Sequence, residues 1–199
     1  ILYQRSEVID SIEKRVKTLY DKPNFVMIIN GWDKRKNGRN GLLAFKQIQS
    51  TFSGAILHLF GRGTEEGGPA QMDGLELKLD NVIYHGMTDR SQLISTLKEM
   101  HILIHTALEE SFGVVSIEAM SLGVPAIGGR QSGAVPWVIA DDNLLTDVRE
   151  PSQIAETVKS SMDNFAKLSL SCYDNVAARF SAEKITDQYE NYYFDICRS

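Results

Sequence analysis

Two carboxylates stand close together in the segment 109–129, EESFGVVSIEAMSLGVPAIGG. Glu110 precedes Ser-Phe-Gly, and Glu118 follows eight residues later in a stretch with helical spacing of apolar residues. If one helix held both, they would be about 12 Å apart along the axis and about 80° around it. That separation is too large for a shared proton and exceeds the ~5 Å of the carboxylate pair in retaining glycoside hydrolases. We therefore expect each carboxylate to bind hydroxyl groups at a different point of one extended polyol ligand.

The predicted helix in this segment offers an anion site between the two carboxylates. Ser111 is predicted to be the N-cap, and Gly113 allows close approach of the backbone. The first turn of a helix has N–H groups without internal partners and a partial positive charge. The amides predicted to face an anion are those of Phe112, Gly113, Val114 and Val115. The alternative is structural: Glu110 interacts only with the helix dipole, and Glu118 is solvated or paired within the helix.

A basic loop at 30–41, NGWDKRKNGRNG, supplies the second group of candidate residues. It joins an apolar run at 25–30 to a predicted helix and contains Lys34, Arg35, Lys36 and Arg39. Such a cluster can neutralise the charge of a diphosphate. A solvated basic loop without a ligand is the alternative.

Short apolar runs alternate with helix-length segments along the chain, and this alternation determines the predicted fold. Runs that are apolar on both faces, with helices between them, are typical of a parallel sheet covered on both sides. We therefore predict an α/β fold with a Rossmann-like, doubly wound parallel sheet of about six strands, in which ligands bind beyond the carboxyl ends of the strands. The runs lie at 25–30, 55–60, 81–85, 101–105, 124–128 and 143–146.

The 199 residues are predicted to form a single domain. A leading helix is expected within 1–22, the Rossmann-like core at 23–150, and additional C-terminal helices at 151–199. The glycine-rich stretch 61–74 is predicted to be a mobile loop. The chain begins at Ile1 and enters an amphipathic helix at once, which suggests a piece of a longer protein.

Composition excludes several classes of function. The net charge of −5 comes without a long basic run, so nucleic-acid binding is not expected. No stretch of about 18 apolar residues occurs. Cys172 and Cys197 show neither metal-site spacing nor a disulfide framework, which fits a reducing compartment. His101 and His105 lie in a strand-like run without a zinc motif and are interpreted as core or rim histidines; no metal and no cofactor are expected.

The segment from Glu109 to Ile139 resembles the signature of group 1, family-4-type, retaining glycosyltransferases of the GT-B fold. The likeness consists of a Glu, seven residues and a second Glu, with Phe-Gly after the first and Glu-Ala-Met at the second. Weaker segments follow in the expected order, and together they cover essentially the whole chain. The resemblance implies the C-terminal, donor-binding half of a GT-B enzyme, with the N-terminal acceptor domain absent from this chain.

The resemblance also implies roles for individual residues. Glu118 would hold the ribose of a nucleotide, whereas Glu110 and the amides after Phe112 would hold the transferred sugar and its phosphate. Gly31 would belong to the donor site, and Lys36 would stabilise the leaving diphosphate. The sequence departs from the family pattern at Trp32, where Arg is usual. Either Arg35 or Arg62 is expected to replace that Arg, or stabilisation of the leaving group is weaker in this protein.

A second departure lies in the glycine-rich turn after the run at 124–128. Gly133 and Ala134 stand for the usual glycine pair, and Trp137 occupies the position of a usual Glu. An aromatic side chain there could stack on a ligand ring or pack against the protein, and we expect packing.

The resemblance implies transfer of a sugar, with retention, from a nucleoside diphosphate to a glycan or lipid-linked acceptor in polysaccharide or glycoconjugate biosynthesis. The enzyme would be of the hexosyltransferase type, cytoplasmic or peripherally attached to the inner face of a membrane, and this domain would be inactive alone. The alternatives are a sugar-nucleotide epimerase or a phosphorylase on the same fold, or a non-catalytic binding domain.

Overall fold

The structure is a computed structural model that describes residues 3–198. The first two residues of the predicted leading segment and the last residue of the chain lie outside the described residues. Within this range six parallel strands form one sheet in the order β3-β2-β1-β4-β5-β6. The strands are β1 (Asn24–Ile28), β2 (Ile56–Phe60), β3 (Val82–Gly86), β4 (Ile102–His105), β5 (Ala126–Gly129) and β6 (Leu145–Thr146).

Helices connect these strands and cover both faces of the sheet. They are α1 (Arg5–Val16), α2 (Gly38–Thr51), α3 (Pro69–Glu76), α4 (Arg90–Leu97), α5 (Val114–Met120), α6 (Val135–Ile139), α7 (Pro151–Asp163), α8 (Phe165–Phe180) and α9 (Ala182–Arg198). Right-handed crossovers place α2 and α3 on one face and α4, α5 and α6 on the other, because the chain reverses its direction across the sheet after β3. Helix α7 packs on α2, whereas α8 packs on α1 and α5. The doubly wound parallel α/β fold predicted from the sequence is confirmed.

The central strands are buried on both faces, which explains their continuous apolar sequences. In β1 the three middle residues Phe25, Val26 and Met27 are fully buried, and all four residues of β4 are buried. Phe25 pairs in register with Ile102, and Leu103 of β4 pairs with Ala126 of β5. Edge strand β3 is only partly buried. The two strands that end at the candidate site therefore lie in the buried centre of the sheet.

Arg15 fixes α1 against the rest of the core, although it is a cation that is 97 % buried (3 % exposed). Its guanidinium donates to the carbonyl oxygens of Met100 (2.8 Å) and Leu122 (3.1 Å), which precede β4 and β5. Burial lowers the pKa of Arg15 to about 10. Because these carbonyl oxygens compensate the buried charge, Arg15 ties the leading helix to the starts of two central strands.

Two sequence predictions about local structure are wrong. Helix α5 begins at Val114 with Gly113 as its N-cap, so Ser111 is not the N-cap and Glu110 lies outside the helix. The stretch 61–74, predicted as a loop, contains most of α3, which starts at Pro69. Proline suits the first helical position because it lacks an N–H group that would be unpaired there.

Candidate functional site

The candidate site lies where the strand order of the sheet reverses. Strands β1 and β4 are neighbours, and their connections leave toward opposite faces of the sheet. A crevice forms beyond the carboxyl ends of two such strands, and this is the usual ligand position in open α/β sheets. The segment after β1 contains Lys36, and the segment after β4 contains Glu110.

Lys36 and Glu110 form an ion pair in this crevice. The Nζ atom of Lys36 donates to Oε2 of Glu110 at 3.0 Å, and the two side chains are 17 % and 18 % exposed. An ammonium group has three N–H donors, so two remain available for a ligand. The pair thus presents a cation and a carboxylate side by side at the edge of the sheet.

Hydrogen bonds between the two loops hold this pair in place. The amide of Leu108 donates to the carbonyl oxygen of Arg35 (2.8 Å), and Thr106 Oγ1 donates to that of Lys36 (2.9 Å). Asn37 adopts a left-handed conformation and donates from Nδ2 to the carbonyl oxygens of Thr106 (3.2 Å) and Val148 (2.8 Å). Bonds on both sides of Lys36 therefore fix its backbone relative to the end of β4.

The loop after β5 supports Glu110 from a third side. The amide of Ala134 donates to the carbonyl oxygen of Glu110 at 3.0 Å. Gly133 lies in the left-handed region with φ +60°, and a Cβ atom there would meet that same carbonyl oxygen at 2.4 Å. Only glycine permits this approach, so the glycine-rich turn positions Glu110.

Glu110 is ionised at neutral pH. Partial burial by itself would raise the pKa of its carboxyl group, but the hydrogen bond and charge of Lys36 outweigh burial and lower the pKa below the usual value. The amide of Ser111 also donates to Oε1, at 3.2 Å. An ionised carboxylate only accepts hydrogen bonds, so Glu110 is suited to binding hydroxyl groups and not to donating a proton.

His105, the last residue of β4, lies beside this pair. Its Nε2 atom is 3.8 Å from Oε2 of Glu110 and is buried without a hydrogen-bond partner among the described residues. Burial lowers the pKa of His105 to about 4, so the ring is neutral. The burial expected of a core histidine is confirmed, but its proximity to Glu110 was not foreseen. The position at the carboxyl end of a buried strand was the signal available in the sequence.

Glu118 lies in the second turn of α5 and lines a different, larger space. Its Oε1 atom accepts from Nη2 of Arg90 at 2.8 Å, and the two side chains are 20 % and 77 % exposed. Both border a groove of about 1240 Å³ between α4, α5 and the junction of α8 with α9. The structure therefore places Glu110 and Glu118 at two separate positions, although both belong to the segment that surrounds the start of α5.

The basic residues predicted to form one cluster have different partners in the structure: Lys36 pairs with Glu110, whereas Arg39 binds residues of α3. Arg39 forms a bidentate ion pair with Glu76 and also bonds Asp73, so it connects α2 to α3. Arg35 is exposed, and its side chain forms no ion pair within residues 3–198. Arg62 is also exposed, and its carbonyl oxygen accepts from the amide of Gly31 at 3.0 Å.

Trp32, where the family pattern led us to expect Arg, is bound to α3. Its Nε1 atom donates to Oδ2 of Asp73 at 2.8 Å. The ring also lies against Gly38, where a Cβ atom would meet it at 2.5 Å. Trp32 thus packs the loop after β1 onto its neighbours, and any cationic role at this edge belongs to other residues.

An aromatic cluster lies next to the start of α5. The ring of Trp137 is 5.4 Å from that of Phe180 and 6.0 Å from that of Phe112, and the Arg179 guanidinium stacks 4.7 Å above it. Trp137 packs against protein side chains, as expected, but it is still 58 % exposed.

Among residues 3–198, no three His, Cys, Asp or Glu side chains cluster as metal ligands. The expectation that no metal is required stays a prediction. None of the helices in that range is both long and apolar enough to cross a membrane.

Known proteins resemble this chain over nearly its whole length. It is 27 % identical over 191 residues to the N-acetyl-alpha-D-glucosaminyl L-malate synthase of Bacillus anthracis, covering 93 % of this chain and 49 % of that protein. It is 21 % identical over 181 residues to the putative colanic acid biosynthesis glycosyl transferase of Escherichia coli strain K12, covering 89 % and 42 %. The chain thus spans about half the length of the curated relatives it matches.

A solved structure shares the fold. Sucrose-phosphate synthase from Thermosynechococcus elongatus superimposes with a TM-score of 0.74 at 21 % identity, covering 95 % of this chain and 49 % of that one. A sequence model of the family described as Glycosyl transferases group 1 matches residues 10–178. The chain belongs to the group 1 glycosyltransferase family, and its fold is that of the GT-B C-terminal domain.

Proposed function

We propose that this chain is the donor-binding domain of a retaining glycosyltransferase. In this proposal it binds a nucleoside diphosphate sugar and, with an acceptor domain outside this chain, transfers the sugar to a glycan or lipid-linked acceptor. The observation that carries the proposal is the Lys36–Glu110 pair at the carboxyl ends of β1 and β4. It combines a cation for a diphosphate with a carboxylate for sugar hydroxyls in one crevice.

The proposed chemistry follows from the electrostatics of the pair. As the bond between sugar and diphosphate breaks, negative charge develops on the diphosphate, and a preorganised cation stabilises it. Lys36 has two N–H donors left for this purpose, and Arg35 or Arg62 would add a second cation. We place the amides of Phe112 to Val115 beside the phosphate next to the sugar. Removal of one such electrostatic contact commonly lowers the rate by about 10²-fold or more.

Glu118 is proposed to bind the nucleotide part of the donor. Its carboxylate would accept hydrogen bonds from the ribose hydroxyls once Arg90 moves away. Arg90 is 77 % exposed, and exposed ion pairs contribute only about 0–1 kcal/mol, so this exchange has a low cost. Glu118 borders the groove of about 1240 Å³, which has room for a nucleoside. We also assign Gly31, in the loop after β1, to the donor site.

The biological setting is proposed from the relatives and the cysteines. A relative named for colanic acid biosynthesis supports a role in polysaccharide or glycoconjugate synthesis. Cys172 and Cys197 are both free, as is usual in a reducing compartment, which supports a cytoplasmic location. Attachment of the whole enzyme to the inner face of a membrane is part of the same proposal.

A binding panel tests the proposal directly. UDP, GDP and ADP and four of their sugar nucleotides (UDP-glucose, UDP-N-acetylglucosamine, GDP-mannose and ADP-glucose) are added to the chain one at a time, and the melting temperature is recorded. A ligand that binds only the folded state at 100 times its Kd stabilises it by about 2.7 kcal/mol. One base should raise the melting temperature selectively; no response to any member would contradict the proposal and favour a non-catalytic domain. A product assay on the whole enzyme then separates transfer from epimerisation or phosphorolysis.

A further inference from the structure

A small cavity lies directly under the Lys36–Glu110 pair, at the point where the strand order reverses. Its volume is about 90 Å³, and its polar side chains include Lys36, His105 and Glu110. Ile28 at the end of β1 and Thr106, directly after β4, also line it. A cavity of this size holds a hydroxyl group or a few water molecules, but it is smaller than a complete sugar ring.

One atom in this cavity has no partner in the described structure. Nε2 of His105 is fully buried and makes no hydrogen bond, and a buried polar group without a partner is costly. His101, at the other end of the same strand region, shows how this fold satisfies a buried histidine. Its Nδ1 accepts from the amide of Asn24 (2.9 Å), and its Nε2 lies 3.0 Å from the carbonyl oxygen of Arg15. The contrast indicates that His105 has a partner that is not part of the protein.

The chemistry of the cavity defines that partner. The His105 ring is neutral and can carry its proton on Nε2, where it acts as a donor. Glu110 is ionised and only accepts, with its Oε2 atom 3.8 Å from that Nε2. With the proton on Nε2, a group that contacts both atoms accepts one hydrogen bond and donates another. A hydroxyl group does both, whereas a phosphate oxygen or an apolar substituent does not.

We propose that His105 is a specificity-determining residue for the transferred sugar, with its Nε2 and the Glu110 carboxylate together binding one ring hydroxyl of that sugar. The inference rests on the proposed function and deepens it, because it names the chemical group recognised inside the crevice. A water molecule has the same hydrogen-bonding chemistry, so it can take the place of the hydroxyl group when no sugar is bound. A sugar without a hydroxyl at that position leaves both protein groups unpaired and binds more weakly.

Two substitutions at His105 with side chains of similar length distinguish hydrogen bonding to the sugar from packing in the core. His105→Gln keeps an amide N–H donor near the position of Nε2, whereas His105→Met fills similar space without one. Calorimetry measures the affinity of each variant for a nucleoside diphosphate and for its sugar, with UDP and UDP-N-acetylglucosamine or GDP and GDP-mannose as probes. We expect His105→Met to lower the affinity for the sugar nucleotide about 10-fold or more. The affinity for the bare diphosphate should not change. His105→Gln should restore part of the affinity for the sugar nucleotide.

The outcomes distinguish this inference from the proposed function. Equal weakening of both probes would show a structural role for His105 and overturn the inference while leaving the donor site intact. Unchanged affinity for both would mean that only water uses the cavity, and it would also overturn the inference. Wild-type protein that binds no member of the UDP, GDP and ADP panel would overturn both proposals. His58→Gln is the matched control, because His58 lies on β2 and pairs with His85 at 3.0 Å.

A measurement on the wild-type chain covers the case in which His105→Met does not fold. In protein whose histidine side chains carry ¹⁵N, NMR follows the Nε2 signal of His105 during titration with the sugar nucleotide or with the diphosphate. A hydrogen bond to a sugar hydroxyl should shift this signal with the sugar nucleotide and not with the diphosphate alone. The same shift with both ligands would contradict the inference.

Discussion

The Nζ atom of Lys36 lies 3.0 Å from Oε2 of Glu110, although 74 positions separate the two residues in the chain. The pair exists because β1 and β4 are adjacent at the reversal of strand order, and because hydrogen bonds between the loops at 35–37 and 106–108 fix both segments. Neither residue is close to the other in sequence, so the fold creates the site.

Lys36→Ala should weaken nucleoside diphosphate binding by about 10-fold or more, since charge-assisted hydrogen bonds are roughly twice as strong as neutral ones. It also leaves Glu110 without its cation, which adds carboxylate repulsion toward the phosphate. Calorimetric titration with the diphosphate that binds best measures the change. Lys34→Ala is the control, because Lys34 is exposed in the same loop and forms no ion pair within residues 3–198. Equal losses in the two variants would indicate a diffuse basic loop and contradict a specific role for Lys36.

Gly133→Ala should destabilise the protein and weaken donor binding together. The new Cβ atom would meet the carbonyl oxygen of Glu110 at 2.4 Å. The alanine would also have to adopt φ +60°, which is unfavourable for a residue with a side chain. Gly67→Ala is a matched control with φ +75° and nothing within 4 Å of the new atom. Both variants bear the cost of the left-handed conformation, about 1–2 kcal/mol, but only Gly133→Ala displaces the Glu110 loop.

Chemical denaturation and diphosphate titration of both glycine variants provide the measurements. The unfolding free energy should fall in both, and more in Gly133→Ala. Ligand affinity should fall only in Gly133→Ala. A Gly133→Ala variant with normal affinity would show that the glycine-rich turn does not position Glu110.

The sheet could be predicted from the sequence because strands buried on both faces are apolar at successive positions. Strands β1 and β4 are apolar at successive positions because helices cover both of their faces, and such runs are visible without a structure. The same reasoning located Lys36 and Glu110, since each follows one of these runs. Pairing between them depends on strand order, which composition does not specify.

The N-cap of α5 and the presence of α3 within 61–74 could not be predicted from the sequence. Ser111 and Gly113 are both acceptable N-caps, and the left-handed conformation of Gly113 decides between them. The glycines of 61–74 suggested a loop, but Gly74 lies inside α3. Glycine is needed there because a Cβ atom would meet the Tyr84 hydroxyl at 2.0 Å. Glycine at that position permits close packing of helix on strand, which local sequence does not distinguish from chain flexibility.

Acid should destabilise the fold before most carboxylates titrate. Burial lowers the pKa values of His58, His101 and His105 to about 4 from 6.5. The folded state keeps these rings neutral, whereas the unfolded chain binds protons once the pH falls below about 6.5. Their contribution to stability is therefore complete above that pH and is lost as the pH falls toward 4.

The pH dependence can be assigned to one ring with His101→Asn. Each fully shifted histidine contributes at most about 1.4 kcal/mol per pH unit in this window. His101 is completely buried, and an Asn side chain can still accept from the amide of Asn24. Denaturation curves between pH 7 and pH 5 should show a smaller slope of stability against pH in the variant. Parallel slopes in the two proteins would mean that His101 does not titrate on unfolding.

Glu118→Ala should weaken binding of every nucleotide that carries the preferred base, because the proposed contact is to the ribose of the nucleotide and not to the transferred sugar. Arg90→Ala provides the opposite change: it frees the Glu118 carboxylate, which is 20 % exposed, from its ion pair. Affinity should therefore fall about 10-fold in Glu118→Ala and stay the same or rise in Arg90→Ala. Calorimetry with the bare diphosphate and with its 2′-deoxy analogue measures both. The analogue should lose affinity in the wild type and little in Glu118→Ala, since the same hydrogen bond is missing in either case. Unchanged nucleotide affinity in Glu118→Ala would remove this residue from the donor site and leave its bond to Arg90 as a link between α4 and α5.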